Sequence, residues 1–300
     1  MFNVLLWNHC GIGSYLMNSG VVHSVSSSSS VVGPYVQQDV ILPPFAHEPD
    51  VVVAPTGELV MVSVSSGGDL NGFHSCQCVD GSTSSSQPRC NGCNNSCLPN
   101  AKPTLSVASS ADGPWRSYPM WGEDSHGENP SIWITKNGSA YGMSRGGVMS
   151  AFASNWSDPA TWTRTLPGAV KPSLSDSPDI EDPFIFQDEN DNWHALAHSL
   201  EGCHYCGGQT GALVGTHQFS RDAISWQFGG VAYTNMVNLT GGKAPLQLNR
   251  RERPHLIFAE GTRTPVALSN SAEGGGGSLS HGDRSWTLVQ PLRTKSSTRE

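Results

Sequence analysis

The chain has 300 residues and a formal net charge of -8, and its 14 % of charged residues falls well below the roughly 25 % of ordinary soluble proteins. With 17 Lys and Arg against 25 Asp and Glu, no basic face is large enough to neutralise several phosphates, so nucleic acid is not expected as a partner. No stretch approaches the ~20 apolar residues of a spanning helix, and no basic segment followed by an apolar core opens the chain, so neither a membrane anchor nor a signal peptide is expected.

The 33 Gly and 20 Pro, with many Ser between them, punctuate the sequence into short strands and turns, and two kinds of segment recur. The first, MFNVLLWNHCGIGSY, reads as the second strand of a unit whose opening strand would precede Met1. SVSSSSSVVGPYVQQD then closes that unit with small residues, a turn and an aromatic. HEPDVVVAPTGELVMVSV from His47 opens the next with an acid beside proline, an apolar strand, a glycine turn and a second strand. A cysteine-rich insertion at 74–103 interrupts it before SVASSADGPWRSY closes. ENPSIWITKNGSAYGMSR from Glu128 and AFASNWSDPATWTRT repeat the pair, as do EDPFIFQDENDNWHALAH from Glu181 and QFSRDAISWQFGGV. RERPHLIFAEGTRTPVAL from Arg251 and a shortened SHGDRSWTLVQ form the last pair before a tail at 291–300.

The opener prolines Pro49, Pro130, Pro183 and Pro254 lie 81, 53 and 71 residues apart, the first gap holding the insertion. Units of roughly 40 to 50 residues match four-stranded propeller blades. A β-sandwich competes for evenly spaced strands, but repetition of the same internal order favours the propeller. The expectation is an all-β fold: one domain over 1–300, a five-bladed β-propeller with the first blade incomplete at the N-terminus.

Cysteine usage points outside the cytosol. Five of the eight cysteines crowd the insertion, Cys203 and Cys206 form CHYC, and Cys10 stands apart. Acceptor sequons occur at Asn94, Asn137, Asn155 and Asn238. Together these suggest disulfides and glycans in a secreted or secretory-pathway protein, with N-terminal truncation accounting for the missing leader. Zinc could use the same cysteines, yet zinc sites show two well-separated pairs, so no metal and no cofactor is assigned. GGGGS at 274–278 reads as a flexible loop and not as a phosphate cradle.

The motifs NHCGIGSY, FAHEPDVVVAP, ENPSIWI, IEDPFIF with WHALAHS, and RRERPHLIF resemble the five-bladed propeller glycosidases that include glycoside hydrolase family 43. The resemblance runs from about residue 7 to 290, and is strongest to a secreted eukaryotic, family-43-like branch. It implies a carbohydrate substrate, a monomer, and acids on separate blades that converge on one sugar: one protonates the leaving oxygen while another acts as base or nucleophile.

Three carboxylates are candidates for that chemistry. Asp182 precedes its proline where the family keeps an essential aspartate, and the resemblance gives it the roles of holding the sugar and tuning a neighbouring carboxyl. Glu252 sits two residues before its proline, like the family's general-acid glutamate, although Arg251 and Arg253 suggest an ion pair. Glu48 is the third candidate, in a slot where the family favours asparagine; Asn129 fills the equivalent slot in the next unit, and an amide cannot be a base. Otherwise the base belongs to the opener before Met1. Glu128 and Glu181 read as partners orienting these acids, and Asp50 as structural. His47, His198, Asn129, Arg145 and Arg253 are candidate substrate contacts, with Arg253 suited to gripping a sugar carboxylate or sulfate. Satisfied structural histidines are the alternative for His47 and His198, and equally for His194 and His255. Trp115, Trp162, Trp226 and Trp286 read as packing at the blade closers more than as sugar platforms. Two functions remain: a hydrolase of O-glycosidic bonds, or a non-catalytic carbohydrate-binding or interaction propeller.

Overall fold

The computed structural model describes residues 2–6, 19–42, 46–65, 102–119, 129–163, 180–199, 215–239, 243–273 and 285–292. All eight cysteines, Asn94 and Glu128 lie outside them, as do most of the insertion and the glycine loop. The described secondary structure is strand, with 3-10 turns between strands.

Strands follow one another into antiparallel sheets in chain order, as the blade reading expects. The first sheet joins β1 (Phe2–Leu6), β2 (Ser19–Ser26) and β3 (Tyr35–Leu42). The second joins β4 (Ala46–Val53), β5 (Leu59–Ser65), β6 (Lys102–Ala108) and β7 (Arg116–Pro119). The third is β8 (Ser131–Ile134), β9 (Ala140–Ser144), β10 (Val148–Ala153) and β11 (Trp162–Thr163). The fourth is β12 (Ile180–Gln187), β13 (Trp193–Ser199), β14 (Gly215–Ser220) and β15 (Trp226–Tyr233). A two-stranded ribbon, β16 (Met236–Val237) with β17 (Leu246–Gln247), precedes a last sheet of β18 (Arg250–Phe258), β19 (Pro265–Glu273) and β20 (Ser285–Pro291).

The four openers share one backbone device. Residues Glu48, Asn129, Asp182 and Arg253, each immediately before its proline, have φ of 56°, 53°, 51° and 52°. Proline has no N–H to give a ladder, and it crowds the residue before it. In three openers the pairing therefore skips: His47 pairs Val64 and Asp50 pairs Val62, Glu181 pairs His198 and Phe184 pairs Leu196, Glu252 pairs Ser271 and His255 pairs Ser269. Each is a bulge with two residues opposite one, which re-aims the side chain before the proline. Each opener then turns back through the same loop, closed by an N–H to carbonyl bond three residues back: Gly57 to Ala54, Gly138 to Thr135, Asp191 to Asp188 and Thr262 to Ala259. Gly57 and Gly138 take φ near 90°, where other residues strain.

By internal contact the chain divides into two compact units: Met1–Ser27, Tyr35–Tyr141 and Ala151–Arg164; and Ser28–Pro34, Gly142–Ser150 and Thr165–Glu300. In the first, Val52, Val60, Val62, Leu105, Ile132, Ile134 and Trp156 form one core, and Val21, Ala46 and Met61 another. The second unit packs Phe184 against Phe186 and His255, with centroids 5.7 and 4.2 Å apart.

The closing tryptophans behave alike in three closers. The indole N–H of Trp115, Trp162 and Trp226 donates to the carbonyl of Ala111, Trp156 and Ala223, which fixes each ring on its own turn. Trp286 departs from the packing expectation. It stands on β20, the edge of its sheet among the described residues, and is 41 % exposed.

Two substitutions test this framework. The buried Asp50 carboxylate accepts the Ser131 hydroxyl at 2.7 Å and the Ile132 N–H at 2.9 Å, joining β4 to β8. Asp50→Ala removes the acceptor shared by both donors and lowers unfolding free energy by about 2–4 kcal/mol in denaturant titration. A Cβ on Gly215 would lie 2.1 Å from the Tyr233 ring. Gly215→Ala must displace that buried ring, and is expected to cost about 1–3 kcal/mol by the same measurement.

Candidate active site

The first unit brings His47, Glu48 and Asn129 together. Glu48 Oε2 accepts the Asn129 backbone N–H at 2.6 Å, and Oε1 accepts its amide at 3.0 Å. His47 Nε2 lies 3.2 Å from the same Oε1. The pre-proline acid of one opener is thus clamped by the pre-proline amide of the next, and His47 and Asn129 are both buried. This clamp makes Glu48 an acceptor that ties two openers together.

The second unit holds a denser cluster. Glu181, Asp182 and His198 each bring an oxygen or nitrogen to within 4.8 Å of one another. The bulge causes this: Glu181 faces His198 across the ladder, and Asp182 turns out of it in the left-handed conformation. Asp182 and His198 are 8 % and 1 % exposed, so the charges meet with little water. Arg145, at a short 3-10 turn spanning Arg145–Gly147, reaches Glu181 Oε1 at 3.0 Å. That guanidinium supplies the positive charge a cation would otherwise bring, so the three groups are read as proton-handling side chains.

Glu252 occupies in its bulge the slot that Glu181 occupies in the other, the last paired residue before the skip. Its Oε1 accepts two guanidinium N–H bonds from Arg250, at 2.9 and 2.5 Å, and Arg250 also reaches Glu273 at 3.7 Å. The expected ion pair exists, but its prominent partner is Arg250. Arg251 instead turns into the interior, where it donates to Asn270, the Thr234 carbonyl and Gln290 and stacks on Tyr233 at 4.6 Å. Burial pulls the Arg251 guanidinium down to about 10 and pushes the Tyr233 phenol well above its ordinary range. Arg253 fills the pre-proline slot of this opener, matching Asp182, and its charge is felt at both Glu181 and His198.

Electrostatics single out Glu181. Burial first, then the neighbouring Asp182 carboxylate, push its carboxyl up from 4.5 to about 7, with Glu252 adding to the push. Arg145 and Arg253 oppose this, and burial with Asp182 prevails. Burial also holds His198 below the ordinary imidazole range, against the upward pull of Glu252 and Asp182. Sequence reading cast Glu181 as an orienting partner. Its position two residues before a proline, as in Glu252, and the adjacent Asp182 were the available signals; its burial and the facing His198 are not visible in the sequence.

The other histidines serve elsewhere. His194, at the far end of β13, bonds His217 at 2.9 Å, lies 3.4 Å from Asp188 and stacks on Phe186. His255 packs on Phe184.

No protein-family model matches the sequence, and no curated protein does. Solved structures do match in fold. The chain is similar to a putative exo-β-1,3-galactanase from Bifidobacterium bifidum s17 (TM-score 0.54, 12 % identity, covering 97 % of this chain and 83 % of that one). A thermostable family-43 glycoside hydrolase is similar with TM-score 0.55 and 11 % identity over 94 % of this chain and 84 % of the other. The family-43 protein BlXynB from Bacillus licheniformis gives 0.55 and 12 % over 98 % of this chain, which spans 50 % of that longer one. The fold is the all-β propeller of the family-43 glycoside hydrolases.

The raised Glu181 carboxyl carries a linkage consequence. Between 4.5 and about 7 the folded chain keeps a proton that the unfolded chain has lost. Its contribution to stability is therefore full below pH 4.5 and lost as pH rises through about 7. At ~1.4 kcal/mol per unit the loss is a few kcal/mol. Glu181→Gln should flatten this decline in denaturant midpoints measured from pH 4.5 to 8; an unchanged slope would show that Glu181 is not its source.

Proposed function

We propose that the protein is a glycoside hydrolase that cleaves O-glycosidic bonds of a polysaccharide or oligosaccharide with paired carboxyl groups. The observation that carries this reading is the meeting of Glu181 and Asp182 beside the buried His198, where the charge of Glu252 is also felt, with one carboxyl raised to about 7 beside acids of different surroundings. Glycoside cleavage needs one carboxyl protonated and another ionised at the same pH, and unequal environments on neighbouring acids produce that division. Asp182 holds the sugar and raises its neighbour; Arg145 and Arg253, at the edge of the cluster, suit a substrate bearing an anionic group. The neighbour described as an exo-β-1,3-galactanase places β-1,3-linked galactan in the first panel of substrates. The sequon acceptors Asn137, Asn155 and Asn238 are exposed, as glycan attachment in a secreted glycoprotein requires.

A second reading, a carbohydrate-binding propeller without hydrolysis, is favoured by one observation: the Glu48 carboxylate, the remaining candidate base, is committed to Asn129. Product release from galactan, arabinan, xylan and acidic polysaccharides, read by reducing-end assay, separates the two. The hydrolase reading expects turnover that falls by roughly 10²–10⁴-fold in Asp182→Asn and Glu252→Gln. Glycan-array binding that survives both substitutions, with no product from the native chain, would sink it.

A further inference from the structure

We infer that Glu181, and not Glu252, is the proton donor to the leaving group. The inference rests on the hydrolase reading and identifies the acid within that same cluster.

Both glutamates sit in the same slot of their bulges, one residue before the left-handed pre-proline position. Their surroundings differ in the one respect that matters to a donor. Glu252 offers Oε1 to two N–H groups of Arg250 at 2.9 and 2.5 Å, with Glu273 sharing the same arginine at 3.7 Å. A carboxyl held in a guanidinium fork is arranged as an acceptor. Glu181 meets a single guanidinium contact, from the 40 %-exposed side chain of Arg145, and faces Asp182 and the buried His198 on its other sides. The groups that bear on it are Asp182 on its own strand, His198 on β13, Arg145 on the 3-10 turn, and Glu252 and Arg253 on β18. Two are acids, two are arginines, and the histidine is held towards its neutral form by burial. An acid in this setting keeps its proton near neutrality, and its one guanidinium contact stands partly exposed at the edge of the cluster.

The step balances without a co-reactant. The bond from the anomeric carbon to the glycosidic oxygen breaks, its electron pair stays on that oxygen, and the oxygen takes the Glu181 proton. Water gives its hydroxyl to the anomeric carbon, and its remaining proton restores the acid, directly or through an ionised carboxylate and solvent. Nothing is oxidised or reduced.

The experiment compares poor and good leaving groups. Methyl and 4-nitrophenyl glycosides of galactose, xylose and arabinofuranose are assayed with the native chain, Glu181→Gln and Glu252→Gln, each checked for a native unfolding transition. A 4-nitrophenolate leaves without a proton, so Glu181→Gln should lose about 10²–10⁴-fold on methyl glycosides but only a few-fold on 4-nitrophenyl glycosides, and the alkaline limb of its pH profile should vanish. Glu252→Gln should lose both substrates alike. The opposite pattern, with leaving-group dependence in Glu252→Gln and equal losses in Glu181→Gln, overturns the assignment while leaving the hydrolase reading intact. Hydrolysis of no glycoside by the native chain overturns the hydrolase reading, and the assignment falls with it. Should Glu181→Gln fail to fold, Glu181→Asp replaces it: a shortened donor keeps the pH limb while losing the methyl glycosides, whereas unchanged rates on them reject the donor role.

Discussion

A proline without an N–H, placed inside β4, β12 and β18 and immediately before β8, is the constraint on which the rest of the structure depends. The ladder cannot use that residue, so the strand bulges, and the residue before it is driven to φ between 51° and 56°. Such a conformation costs of order 1–3 kcal/mol for a residue other than glycine, and it persists only when its surroundings over-determine it. Here the surroundings are the paired residues on either side of each skip, and the strain recurs where the charged and amide side chains gather. Among the described residues, four of the six non-glycine residues with positive φ are these pre-proline positions, which ties the backbone device to the candidate chemistry and not to turns in general.

One device gives two outcomes because the side chains in the slots differ. In the first unit the pre-proline pair is Glu48 and Asn129, an acceptor and a donor, and they satisfy each other in two hydrogen bonds. In the second the pre-proline pair is Asp182 and Arg253, and the slot before it holds Glu181 and Glu252. The arginines are not shared evenly among these acids. Glu252 takes the forked guanidinium, Arg251 is drawn away into the interior by Asn270, Thr234, Gln290 and Tyr233, and Glu181 is left with burial and Asp182 outweighing Arg145. Burial, the adjacent Asp182 and the uneven sharing of cations together set the Glu181 carboxyl apart.

The strand repeats were legible because they are local: proline position, apolar alternation, glycine turns and closing aromatics lie within one unit of sequence. Trp115, Trp162 and Trp226 follow that logic down to the carbonyl each one bonds. Trp286 does not, since whether a strand is an edge depends on what pairs beside it, which its own residues do not state. The same limit applies to the charges. Spacing before proline marked Glu48, Asp182 and Glu252, but a sequence does not say which arginine closes on which acid. Arg250, the first residue of RRERPHLIF but given no role in the motif reading, holds Glu252, while the adjacent Arg251 packs inward.

The equivalence of slots also bears on how such a site can change. A bulge fixes where a side chain points and leaves its chemistry open, so exchanging Asp, Asn, Glu and Arg before the proline alters charge without disturbing the ladder that holds it. The His47, Glu181 and Glu252 slots show the same freedom one residue earlier. On the proposed hydrolase reading, the chemistry depends less on any one residue type at an opener than on the difference in environment between two openers. Glu181 and Glu252 share a backbone position and differ in burial, acid neighbours and cations, and the proposed division into donor and acceptor rests on that difference.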